Sequence, residues 1–166
     1  MTVFIQYLVN GLSMGSVYAI IALGYTMVYG IAKMLNFAHG DVIMVGAYMS
    51  YCATAYLGLP AWVSVIIAMI VCTLLGVVIE AAAYKPLRKA GSLAVLITAI
   101  GVSYLLQNVA LLIWGSNPKA FTSIVPFGAI KLFDGELTIT PESILTVIAC
   151  VIIMIALTIF TKKSKM

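Results

Sequence analysis

The sequence predicts an all-α protein: a polytopic transmembrane helical bundle of about five membrane segments, with the N-terminus outside and the C-terminus cytoplasmic. Three observations predict it. Of the 166 residues, 64% are hydrophobic and only 8% are charged, against roughly 25% charged in an average soluble domain. The apolar residues gather into five runs close to the roughly 20 residues that a spanning helix needs. The basic residues lie at the ends of those runs and fall unequally on alternate connections. In lipid such runs must be helical, because each backbone N–H and C=O has to find its partner within the segment.

The first run, Val3 to Ile31, carries no charge. It lacks the basic flank of a signal peptide and far exceeds the ~15 residues of a signal's apolar core, so it is expected to remain as a helix. Gly11, Gly15 and Ala19 recur every fourth residue along it and give a small-residue stripe suited to helix packing. The second run, Val42 to Leu57, is shorter and also uncharged. The third, Ala61 to Ala83, carries only Glu80, and Ala68, Cys72 and Gly76 repeat the small-residue spacing. Glu80 lies near Lys85 and Arg88, as a snorkelling or paired structural carboxylate would.

Tyr84 to Gly91 reads as a short basic connection, since Pro86 has no N–H with which to continue a helix. The fourth run, Leu93 to Trp114, is uncharged but contains Thr98, Ser103, Gln107 and Asn108. Polar groups at membrane depth either bond another helix or line a substrate path, and Thr98, Ser103 and Gln107 are the path candidates. The connection spanning residues 115–141 far exceeds ~15 residues, a length at which loops are usually functional or disordered. Asp134-Gly135 between short apolar runs in Ile130 to Ile139 predicts a β-hairpin with a type I′ turn. Thr140-Pro141-Glu142 then supplies an N-cap, a first-turn proline and an early acid, opening the last run, Ile144 to Phe160.

Taken alternately, the connections place Lys33, Lys85, Arg88, Lys89, Lys162, Lys163 and Lys165 on one side, and Lys119 and Lys131 on the other. The positive-inside rule makes the first side cytoplasmic and the 115–141 loop external. The net charge of +4 forms no contiguous patch, so a nucleic-acid partner is not expected. Cys52, Cys72 and Cys150 lie in separate runs without metal-like spacing and read as small core residues.

Asn36, His39, Gly40 and Asp41 cluster between the first two runs, in Lys33 to Asp41 (KMLNFAHGD). Asp41 sits where a carboxylate can accept from the free N–H groups that open a helix and meet the positive end of its dipole. Gly40 permits a tight backbone. His39 and Asp41 could make a base with its orienting acid, but neither a nucleophile nor a metal set accompanies them, so no catalytic residue, metal or cofactor is expected. Two readings stay open for Asn36, His39, Gly40 and Asp41: capping of helix ends, or gating at an interrupted helix that lines a cavity.

Asn10 to Ala19 (NGLSMGSVYA), Ala22-Leu23-Gly24, Leu35 to Asp41 (LNFAHGD), Gly46-Ala47-Tyr48 and Tyr84 to Arg88 (YKPLR) together resemble the N-terminal half of the LivH-type permease of branched-chain amino acid ABC importers. The resemblance implies a permease that works with a second permease subunit, two cytoplasmic ATP-binding subunits and a periplasmic substrate-binding protein, embedded in lipid of the inner membrane. Chemistry would belong to the ATP-binding subunits, and this chain would supply part of the substrate path. Such permeases run to nearly twice this length and carry an ATPase-docking segment soon after the position of Lys162 to Met166. Residues 1–166 are therefore expected to form a single transmembrane permease domain truncated at its C-terminus. Such a piece would either belong to a working importer of branched-chain amino acids or merely associate with other permease subunits. Urea or short amides are the alternative cargo.

Overall fold

A computed structural model describes residues 2–33, 35–87, 90–120, 130–132 and 137–163. Among these, five α-helices follow in order: α1 (Thr2–Ala32), α2 (His39–Ala55), α3 (Ala61–Ile79), α4 (Ser92–Trp114) and α5 (Pro141–Lys163). A π-helical turn, Glu80–Tyr84, and a 3₁₀ turn, Lys85–Leu87, prolong α3 up to the basic connection. Short strands β1 (Ile130–Leu132) and β2 (Leu137–Ile139) pair antiparallel, with Lys131 opposite Thr138. Asp134 and Gly135, where the sequence predicts a type I′ turn, lie outside the described residues.

Among the described residues, four helical stretches are long and apolar enough to cross a membrane: Val3–Gly30, Ala61–Leu87, Leu93–Trp114 and Pro141–Phe160. The second predicted segment differs from the others. α2 has 17 residues, about 26 Å at 1.5 Å per residue, short of the roughly 30 Å of a hydrocarbon core. The apolar side chains point outward, with Phe4 72%, Trp62 74% and Leu112 85% exposed. A helix apolar all round is the expected form where lipid replaces water.

The chain divides into two compact units, Met1–Met27 with Thr122–Met166, and Val28–Phe121. In the first, the Gln6 side chain pairs with both backbone groups of Thr138: its Nε2 donates to the Thr138 carbonyl at 2.9 Å, and its Oε1 accepts from the Thr138 N–H at 2.8 Å. This satisfies the free edge of β2, which would otherwise leave a backbone donor and acceptor without partners. It also ties the start of α1 to the residues just before α5, so these two helices start from the same side.

In the second unit, α2 and α3 form a helical hairpin. Gly58 turns the chain with φ +60, a value that glycine adopts without steric cost, and the Leu59 N–H bonds the Ala53 carbonyl at 3.1 Å. The helices meet through small residues. Gly46 lies so close to α3 that a Cβ there would stand 2.7 Å from Cys72 Sγ. Ser50 and Ser64 share a hydroxyl hydrogen bond of 3.0 Å, and Ala53 and Ser64 are buried. Close backbone approach of this kind replaces the hydrophobic drive that lipid does not provide. By contrast, a Cβ on Gly11, Gly15 or Gly76 would meet nothing within 4 Å, and Ala19 is half-buried. A compact core of Ile79, Tyr84, Val95 and Ala99 joins the end of α3 to the first half of α4.

Candidate functional site

The site begins where α1 stops. Lys33 takes a left-handed conformation, φ 53, and its N–H closes the last turn on the Tyr29 carbonyl at 2.9 Å. A non-glycine residue there is uncommon and ends a helix sharply. Asn36 then folds its side chain onto its own backbone: Oδ1 accepts from the Ala38 N–H at 3.1 Å, a turn that asparagine forms readily. The same Oδ1 accepts from the Tyr84 hydroxyl at 2.7 Å, which fixes the junction to the π-helical end of α3. The His39 N–H bonds the Asn36 carbonyl at 3.2 Å, and the Ala38 carbonyl accepts from the Val42 N–H at 3.0 Å as α2 begins.

Among the described residues no side chain caps α2, whose N-cap is Ala38. Asp41 instead turns toward α4. It is only 8% exposed; Ser103 Oγ donates to its Oδ2, and Gln107 Nε2 donates to its Oδ1 at 3.0 Å. Gln107 Nε2 also reaches Ser103 Oγ at 3.2 Å, so the three groups form a closed set. Ser103 and Gln107 are one turn apart on α4, which presents both donors to one carboxylate. Among the described residues no cation pairs with Asp41. Two charge-assisted hydrogen bonds support it instead, a stronger kind of bond than one between neutral groups.

Depth follows from the same contacts. Ser103 lies at the middle of the Leu93–Trp114 span. Toward the end of that span, the Trp114 ring stacks on Tyr48, centroids 4.6 Å apart, and its Nε1 donates to Cys52 Sγ at 3.1 Å. α2 therefore runs alongside the second half of α4 in the same direction and starts at mid-depth. Residues 35–38, which lead into it, are not helical. Irregular backbone at that depth is tolerated where protein buries it or a cavity adjoins it.

The branched-chain amino acid transport system / permease component family matches residues 7–166. The chain belongs to this family. It is 40% identical to the high-affinity branched-chain amino acid transport system permease protein BraD of Pseudomonas aeruginosa, over 98% of this chain and 56% of that protein. The LivH proteins of Salmonella typhimurium and Escherichia coli are 40% and 39% identical over the same shares. The chain thus spans little more than half the length of the curated relatives it matches. No solved structure matches it. Family membership and the four apolar helices make it a multi-pass membrane protein.

Within this permease fold, Asp41, Ser103 and Gln107 come together, and Asn36 lies at the same junction. His39 is half-buried and Gly40 exposed in the first turn of α2. Thr98 stays apart and donates to the Ala94 carbonyl of its own helix at 2.9 Å. Tyr84, Tyr48 and Trp114 were not among the candidate site residues, although Tyr48 and Tyr84 stand in motifs of the resemblance. Tyr84 and Trp114 lie at segment ends and Tyr48 within α2, and nothing in their spacing marks their partners. Tyr84→Phe removes one hydrogen bond worth about 1 kcal/mol. Hydrogen exchange at residues 36–40 should then rise about fivefold with the rest of α2 unaffected, as measured by mass spectrometry.

Proposed function

We propose that this chain is a transmembrane permease subunit of an inner-membrane ABC importer for branched-chain amino acids, and that the break before α2 lies on the translocation path. The observation that carries the path assignment is Asp41. A carboxylate at mid-depth costs about 3 kcal/mol on insertion scales, and it is held by two donors from α4 at the point where a helix is interrupted. Interrupted helices in transporters place substrate contacts at this depth. The names of the relatives, all branched-chain amino acid permease proteins, support the cargo.

The working unit in this reading includes a second permease subunit, two cytoplasmic ATP-binding subunits and a periplasmic substrate-binding protein. This subunit performs no chemistry. It offers an ionised group and two neutral hydrogen-bonding groups to a passing zwitterion, and α2 shifts against α4 as the path opens to either side. The test is ATP-dependent uptake of labelled leucine by the complete partner set in proteoliposomes, with valine, isoleucine, aspartate and urea as competitors. Competition by valine and isoleucine alone is the expected result; competition by urea alone would point to the amide-type cargo instead.

The distribution of basic residues over the connections supports a cytoplasmic C-terminus and an external loop after α4. A cysteine replacing Lys119 should react with an impermeant thiol reagent on intact cells, whereas one replacing Lys163 should react only after permeabilisation. The opposite pattern would reverse the orientation.

A further inference from the structure

A second feature shares the Asp41 face of α2. Met44, Ala47, Tyr48 and Tyr51 line a cleft of about 320 Å³, closed on its other side by residues 116–119 where the chain leaves α4. At 100° per residue, Asp41, Met44, Tyr48 and Tyr51 fall on one side of α2, away from the Gly46, Ser50 and Ala53 side that packs on α3. The cleft walls are held in place: Tyr48 stacks on Trp114 at 4.6 Å, and Tyr51 meets Tyr56 edge to face at 6.1 Å. Among the described residues lining it, Lys119 is the only charged one.

We propose that this cleft is the entrance subsite for an aliphatic α-amino acid, which it receives with the carboxylate toward Lys119 and passes along α2 toward Asp41. The proposal rests on the importer reading. Its chemistry follows from the lining: one cation for a carboxylate, the Met44 and Ala47 surface for an aliphatic side chain, and amide and hydroxyl groups of Asn117 and Ser116 for the remaining polar atoms. Rigid aromatic walls around a few polar groups are the usual composition of a small-molecule site. Charge of opposite sign at the two ends of one helix face orients a zwitterion with its ammonium group leading. From Asp41 to Tyr51 the helix rises about 15 Å, too far for one amino acid to bridge, so the cleft and the carboxylate are successive stations.

Saturation-transfer NMR on the complete transporter in nanodiscs, without the binding protein, tests this with leucine, 4-methylpentanoate and 3-methylbutylamine. The first two should receive saturation from the protein. In Lys119→Gln both signals should fall about fivefold, the scale of one partly screened ion pair, and Lys119→Arg should restore them. Asp41→Asn should leave the 4-methylpentanoate signal unchanged, because that probe has no ammonium group. Ala47→Trp, which fills the cleft, should abolish both signals. Signals indifferent to Lys119→Gln and Ala47→Trp, in a complex that still takes up leucine when supplied with ATP and binding protein, would overturn the cleft assignment alone. Absence of leucine uptake by the unaltered complex would overturn the importer reading and the cleft with it.

Discussion

Asp41→Asn in the complete transporter should lower leucine uptake at least about tenfold while leaving the subunit at its normal level in the membrane. The substitution keeps the shape and one acceptor but removes the charge, and hydrogen bonds to a charged group are worth about 1.5–3 kcal/mol. Gln107 Nε2 and Ser103 Oγ both donate to Asp41; an amide nitrogen in place of one oxygen forces the Ser103 hydroxyl to become an acceptor and turn its own proton elsewhere. Asp41→Leu should be more damaging. It strips the acceptor shared by Ser103, half-buried, and Gln107, exposed in this chain; Gln107 Nε2 keeps Ser103 Oγ as a partner, so a loss of about 1–3 kcal/mol for one donor left without an acceptor is expected, and the subunit level itself should fall. Uptake measured beside quantitative immunoblotting separates the two outcomes. Normal uptake by Asp41→Asn would remove the carboxylate from the path.

The second large effect is expected at Gly46. A methyl group there would stand 2.7 Å from Cys72 Sγ, well inside van der Waals contact, and α2 would have to move off α3. Overpacking of this kind costs about 1–3 kcal/mol. Cys72 gives up little when shortened, since its thiol makes only a weak contact of 3.4 Å with the Val42 carbonyl. Gly46→Ala should therefore lower the thermal stability of the purified complex, and Cys72→Ala introduced with it should recover most of the loss. Failure of the second substitution to rescue the first would mean that the helices do not meet there.

Much of the fold was legible from the sequence because lipid imposes a simple rule: an uncharged run of sufficient length must be a helix. That rule places α1, α3, α4 and α5 within a few residues of their observed limits. It is weakest for α2, where an apolar run and a crossing are different things. The run from Val42 to Leu57 is short for a span, and only the contact of Asp41 with Ser103 shows that α2 begins beside the middle of α4.

The candidate site was legible in its parts and not in its assembly. Asp41 stood out as an acid beside a helix start, and Ser103 and Gln107 as polar residues within an apolar helix. The local rule assigned the carboxylate to its own helix end, whereas tertiary packing gave it to α4. Contacts across 62 and 66 positions of chain leave no periodic signal. The small-residue stripes show the same difference. Spacing picks out Gly11, Gly15 and Gly76, yet the close approach is at Gly46, whose partner Cys72 lies on a stripe that spacing identified without saying which helix it meets.

The central claim is that the helix break and α4 act as one unit through Asp41. A double-mutant cycle on leucine uptake tests it most directly, using Asp41→Asn, Gln107→Leu and the two combined in the complete transporter. Residues in contact show coupling of about 0.5–3 kcal/mol, whereas independent ones add. The combined variant should be no more impaired than the worse of the two single variants. Losses that multiply across the pair would contradict the account.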